Sequence, residues 1–358
     1  MAKMTIAIAS YQRRESLLRL LRRLDGELAA SEELCRDLDV VVVLDGSTDG
    51  SREAVEREPW RVPTKVYWQS NRGLASARNV GLDAAKGGIV WFLDDDLVPS
   101  SGLVARHRRA HLEGSPRVVV GPCRIPPEVG APAPLLRWWD SFYRDLEEAG
   151  VIDRFDRFTT ANASGPAALF TAVGGFDESF VGYGLEDYEL AVRLLRAGTP
   201  LRFDSHAVAW HPDVPPMSLL MSRERSVGLN AARIAHLHPE TVEALFPDAR
   251  IPAPRQLLRK LRVRSPRSLM AVSRAAFILY RVSGSLHADS ARRAELLCRA
   301  AAHAAGLAEG DPSGTLLGRV LGYSSDGDRN GRGARRSRAR SSRQPAASPK
   351  SSDTTISR

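Results

Sequence analysis

Cysteine is scarce in this chain, and its placement excludes two structural classes. Cys35, Cys123 and Cys298 are the 3 cysteines among 358 residues, odd in number and far apart. They supply neither a disulfide framework nor a zinc-ligand spacing, which favours a reducing cytoplasm. No apolar run approaches the roughly 18 residues a membrane-spanning helix needs. The apolar start MAKMTIAIAS is interrupted by Gln12, Arg13 and Arg14 before a signal-peptide core is reached. A soluble or peripheral cytoplasmic protein is expected. Glycine is missing from Ser10-Tyr11-Gln12-Arg13-Arg14, the loop after the first apolar stretch. That argues against a nucleotidyltransferase acting on a sugar phosphate, which grips a triphosphate with a Gly-rich loop there.

What the chain does have is a hydrophobic stretch that ends in acid. Ile89-Val90-Trp91-Phe92-Leu93 runs into Asp94-Asp95-Asp96. Five apolar residues, β-branched and aromatic, predict a strand buried on both faces. Three consecutive carboxylates at its exit repel one another unless a cation neutralises them, and hard oxygen ligands suit Mg²⁺ or Mn²⁺. Ligands of open parallel sheets bind at the carboxyl ends of the strands, so the triplet marks a candidate site.

The stretches around it alternate. Thr5–Ala9, Asp39–Leu44 and Thr64–Trp68 predict strands. A helix with Leu17, Leu18, Leu21, Leu24 and Leu28 on one face, a helix from near Ser51, and a helix from Leu74 to Ala84 separate them. Strand and helix in alternation predict an α/β fold with a doubly wound, mostly parallel sheet and helices on both faces. Further on, Val118–Val120, Ala167–Phe170, Leu201–Phe203 and Ala207–Trp210 predict strands, and Leu185–Ala197 a helix. The division expected is a domain over 1–215, a helical region over 216–322 and a disordered basic tail over 323–358.

Much of the net charge of +9 lies in that Ser/Arg/Gly-rich tail, whose composition cannot offset its ordering entropy. It has no interleaved aromatics for base stacking, so a non-enzymatic nucleic-acid binder is disfavoured and no specific nucleic acid is expected. Arg255–Arg267 is basic and runs into the apolar LMAVSRAAFILYRV. This pairing suits either peripheral contact with a membrane surface or a helix packed on the protein with its arginines in water, and the second is favoured.

Five blocks in order, TIAIASYQRRESL, VVLDGSTDGS, NRGLASARNVGL, the acidic triplet and GLEDYELAVRL, resemble glycosyltransferase family 2. The resemblance covers roughly residues 4–212. It implies a GT-A fold and an inverting transfer from a nucleoside diphosphate sugar to an acceptor hydroxyl. By resemblance Ser10, Tyr11, Arg13, Asp45 and Arg78 hold the nucleotide, with Asp45 facing a uracil-type ring nitrogen. Asp94 and Asp95 then face the ribose and diphosphate, while Asp96, with Asp94 and His211, holds Mn²⁺ or Mg²⁺. Glu186-Asp187 matches the family's Glu-Asp pair, and Asp187 is the base expected to deprotonate the acceptor.

Overall fold

The computed structural model describes residues 3–29, 31–112, 114–129, 142–213, 215–246, 253–261, 265–283 and 288–321. The expected tail, 323–358, lies outside them.

The first half alternates as the hydrophobic pattern requires. It runs β1 (Met4–Ser10), α1 (Arg14–Leu28), α2 (Glu32–Cys35), β2 (Leu38–Asp45), α3 (Ser51–Arg57), β3 (Thr64–Gln69), α4 (Leu74–Ala84) and β4 (Ile89–Leu93). After β5 (Val98–Pro99) come α5 (Leu103–Arg109), β6 (Val118–Val120), β7 (Cys123–Arg124) and α6 (142–149). Then follow β8 (Asn162–Pro166), α7 (Ala167–Ala172), α8 (Glu186–Arg196), β9 (Leu201–Phe203) and β10 (Ala209–Trp210). Seven strands form one sheet in the order β3-β2-β1-β4-β8-β6-β9. β1, β2, β3 and β4 are parallel, and β8 lies antiparallel between β4 and β6.

β4 shows why its sequence is apolar throughout. Ile89, Trp91 and Leu93 join a core with the leucines of α1, whereas Val90 and Phe92 join a second core with Phe170, Phe176 and Leu190. Successive side chains of a strand point to opposite faces, so both faces of the sheet are covered by helices.

One prediction needs correction. Ala167–Phe170 is not a strand; it opens helix α7, and the strand is the preceding Asn162–Pro166. Asn, Ser, Gly and Pro carry no strand propensity, but Ala163 and Ser164 are fully buried between two partner strands, where small side chains fit. Pro166 has no N–H to extend the ladder and hands the chain to the helix.

The remaining elements are α9 (Met217–Leu237), α10 (Val242–Leu245), α11 (Ala253–Lys260), α12 (Pro266–Ser283), α13 (Ala288–Gly310) and α14 (Thr315–Leu321). A Cβ on Gly228 of α9 would sit 2.1 Å from the His303 carbonyl oxygen of α13, so glycine is what lets these helices cross so closely. α12 buries Leu269, Ser273 and Ala276 and leaves Arg267 and Arg274 exposed. Ile278 and Leu279 of the same helix are exposed as well, while Arg255 on α11 is partly buried. Among the described residues no helix is long and apolar enough to cross a membrane.

Candidate active site

Parallel β1, β2 and β4 end side by side, and the loops leaving them face one another. Inside β4's loop the three acids have separate surroundings. Asp95 is only 5% exposed; it accepts a 2.6 Å hydrogen bond from Ser10 Oγ and pairs with Arg13 Nη1 at 3.1 Å. Burial, partly countered by Arg13, pushes its carboxyl up to about 7. Ser10 and Asp95, both expected to touch the donor, join the ends of β1 and β4 through their hydrogen bond. Arg13 also reaches Asp96 Oδ2 at 2.5 Å, and is therefore committed to the acids.

Asp96 is brought to His211 by a small second sheet. β5 follows the acidic turn and pairs antiparallel with β10, Val98 opposite Trp210. The next residue, His211, then places Nε2 3.4 Å from Asp96 Oδ2. Burial alone would raise the Asp96 pKa; the hydrogen bond and charge of His211, then Arg13, outweigh it and hold Asp96 well below the usual carboxylate range. Against burial, Asp96 in turn raises the imidazole. A carboxylate and an imidazole side by side, in a site with five carboxylates and two arginines, suit a divalent cation. Asp94 is not gathered with them. Its Oδ1 accepts from Arg78 Nη2 at 2.8 Å, and among the described residues no three His, Cys, Asp or Glu side chains form a metal-holding group.

Arg78, on α4, is 5% exposed and donates its other arm to Glu186 Oε1 at 2.6 Å. The guanidinium thus fastens α4, the acidic turn and the start of α8 together. Glu186 is consumed by that ion pair, whereas Asp187 has none among the described residues. Burial, and next the charge of Glu186, push Asp187 up to about 7. That is where a general base works best at neutral pH. The two acids of the Glu-Asp pair are therefore unequal: Glu186 positions, and Asp187 is available.

The approach to α8 is a strained turn. Gly182 and Gly184 adopt φ of 81° and 83°, and Leu185, a residue with a Cβ, follows at 73°. Such a conformation costs about 1–2 kcal/mol outside glycine. The Leu185 side chain packs into the cluster of Ala231, Ala235 and Leu307, and Asn230 Nδ2 donates 2.7 Å to the Gly184 carbonyl. Helix α9 thus holds the turn that presents Asp187.

At the β2 end, Asp45 Oδ1 accepts from Gln69 Nε2 and the Arg72 N–H, and Oδ2 from the Gly73 N–H at 2.8 Å. With two lone pairs per oxygen, one on Oδ2 remains for a ligand. Tyr11 is 51% exposed and directly follows Ser10, which pairs with Leu44 just before Asp45 on the neighbouring strand. Sequence reasoning missed Trp68, half-exposed and tied through its indole N–H to the Ser47 carbonyl. In the sequence it is one more aromatic in a predicted strand, which carries no signal of exposure.

The family described as glycosyl transferase family 2 matches residues 5–171. Over that span the chain is a member of glycosyl transferase family 2. Overlapping its end, a match to the N-terminal domain of galactosyltransferase covers residues 141–209, which take in Glu186 and Asp187. Validoxylamine A glucosyltransferase of Streptomyces hygroscopicus subsp. jinggangensis is 32% identical over 272 residues, covering 68% of this chain and 63% of that protein. Pre-mycofactocin glycosyltransferase of Mycobacterium tuberculosis is 30% identical over 230 residues, covering 59% of this chain and 45% of that protein. The chain spans about three fifths of the length of the first of these curated relatives. A mannosyltransferase of Pyrobaculum calidifontis, solved with GDP-Man and Mn²⁺, superposes with a TM-score of 0.58 at 18% identity, over 86% of this chain and 87% of that one. The fold is GT-A.

Proposed function

We propose that this chain transfers a sugar from a nucleoside diphosphate sugar to an acceptor hydroxyl by direct, inverting displacement. The observation that carries the reading is the pairing of an unpaired Asp187 with a cation-hungry acidic turn, both at the carboxyl edge of the same sheet. Tyr11, Trp68 and the free lone pair of Asp45 suit a nucleobase with a ring N–H, a uracil type by this hydrogen-bond pattern. Asp187 takes the acceptor proton as the acceptor oxygen attacks the anomeric carbon. Glu186 and Arg78 keep Asp187 and the acidic turn in register. Asp96 and His211 fit a divalent cation, Mn²⁺ or Mg²⁺, which when bound would neutralise charge on the leaving diphosphate.

The relatives' names, a validoxylamine A glucosyltransferase and a pre-mycofactocin glycosyltransferase, support sugar transfer, and the two names carry different acceptors. The test is incubation with a panel of nucleotide sugars in Mn²⁺, reading acceptor-free hydrolysis and thermal shift. One donor should be hydrolysed slowly, and excess chelator should abolish it. Undiminished turnover in chelator would refute the metal; no response to any nucleotide sugar would refute the donor class.

A further inference from the structure

The departing diphosphate gains negative charge, and the two arginines at the acidic turn are already occupied. Arg13 is shared between Asp95 and Asp96, and Arg78 between Asp94 and Glu186. A third arginine enters from outside the family 2 match. Arg223 lies on α9, and its guanidinium carbon stands 4.4 Å from the ring centroid of Tyr183. Tyr183 is 44% exposed on the glycine turn that leads to Asp187. Stacking on an aromatic face fixes a guanidinium while leaving its N–H edge available. Among the described residues Arg223 makes no ion pair or hydrogen bond; the Tyr183 ring is its partner.

Two further observations fix its setting. Gly182 lies against Ser226 and Gly184 against Val227, so the residues following Arg223 are packed directly on the turn. Tyr183 precedes Glu186 by three residues, and Glu186 is joined through Arg78 to Asp94, which links the stacked pair to the acidic turn.

We propose that Arg223 is the cation that receives the β-phosphate of the departing nucleoside diphosphate. This rests on the glycosyl-transfer reading above. The bond from the anomeric carbon to the β-phosphate oxygen breaks and its electron pair leaves with the diphosphate. The acceptor oxygen forms the new bond to carbon, and its proton passes to Asp187. Arg223 donates N–H bonds to the oxygens whose charge has increased. An α9 helix that both supports the Asp187 turn and carries this arginine makes the C-terminal helices part of the site.

The experiment is calorimetric titration of UDP, UMP, GDP and GMP, with Mn²⁺, into the full chain and into Arg223→Gln and Arg223→Lys. Arg223→Gln should weaken diphosphate binding roughly 10- to 100-fold, the range for a hydrogen bond to a charged group. Monophosphate binding should stay within about twofold and melting temperature should hold, because the contact is to the β-phosphate alone. Arg223→Lys, which keeps the charge and serves if the Gln variant misfolds, should recover part of the loss. Equal losses for diphosphate and monophosphate, or none for either, would overturn the proposal. If no nucleoside diphosphate binds the unaltered chain, the donor reading fails and this proposal with it; intact binding in Arg223→Gln overturns this proposal alone.

Discussion

Two buried polar clusters hang on β4, one at its end and one on its flank, and they are built from different chemistry. At the end, carboxylates and guanidinium groups face each other: Asp94, Asp95, Asp96 and Glu186 with Arg13 and Arg78. On the flank every group is neutral. Trp91 stacks on His107 with ring centroids 4.4 Å apart, and its indole N–H donates to Asn162 Oδ1. His107 Nε2 lies 2.9 Å from the same oxygen, and Nδ1 2.7 Å from Ser164 Oγ, which His111 Nε2 also meets at 2.7 Å. Only one proton arrangement serves all of these. His107 carries its proton on Nε2, Ser164 donates to Nδ1, and His111 donates to Ser164. Burial pushes His107 down to about 3, so the ring is neutral at ordinary pH. The flank cluster closes on itself, as a structural network should. The end cluster does not: Asp187 and Arg223 are left without ionic partners, and that is what makes it a site.

The sharpest way to break this contrast is at Asp187. Asp187→Asn keeps size and most hydrogen bonding but removes the basic oxygen. Turnover should fall roughly 10²–10⁴-fold, the usual contribution of a positioned base. Donor affinity should change little, since in this reading the donor is held by Tyr11, Asp45 and the acidic turn. Steady-state rates together with donor titration check it; collapse of donor binding in step with the rate would make Asp187 a donor-site or structural residue and Glu186 the next candidate.

The flank cluster should respond in the opposite sense. Asn162→Ala strands the Trp91 indole N–H, His107 Nε2 and the Ala207 carbonyl, which accepts from Asn162 Nδ2 at 2.8 Å. Unsatisfied buried groups cost about 1–3 kcal/mol each, with some relief from relaxation, so a loss of about 2–4 kcal/mol is expected in denaturant unfolding. The rate per folded molecule should hold within about threefold, because no group of the flank cluster enters the displacement. A large rate loss with stability intact would merge the two clusters into one functional unit.

The end cluster was legible in the sequence because its members sit at fixed places in short blocks: strand, then acid; glycine turn, then Glu-Asp. The division of labour within it was not. That Asp95 turns inward to Ser10, or that Arg78 consumes Glu186, depends on partners 85 and 108 residues away, and no local pattern encodes them. β8 escaped detection for a related reason. Its residues are chosen for space between two strands and for Asn162's hydrogen bonds, not for propensity. Arg223 had no signal either, since a single arginine in a basic helix reads as a solvated face until Tyr183 is placed under it.

pH separates the clusters with the smallest effects and the clearest signs. Asp187, raised to about 7, must be deprotonated to act, so the rate should fall as pH drops through 7, about tenfold per unit at the limit. His107 and His111 are lowered from 6.5 to about 3 and about 4, His107 by burial first and His111 by burial and then Arg117. Below pH 6.5 the unfolded chain takes up protons that the native histidines refuse. Stability should therefore decline from 6.5 downward, by at most about 1.4 kcal/mol per pH unit for each histidine. Asp187 and Asp95, both raised to about 7, contribute with the opposite sign: they favour the folded state as pH falls below 7 and offset much of the loss from these two histidines, so the net decline follows from His303, lowered by burial to about 4 in the same way. Initial rates and melting temperatures taken in steps between about pH 5 and about pH 8 resolve the two. The rate should begin to fall before stability does, and His107→Gln should flatten the melting-temperature slope while leaving the rate inflection in place. An inflection that moves with His107 would tie the base to the flank cluster, and the separation of a charged working end from a neutral supporting flank would be wrong.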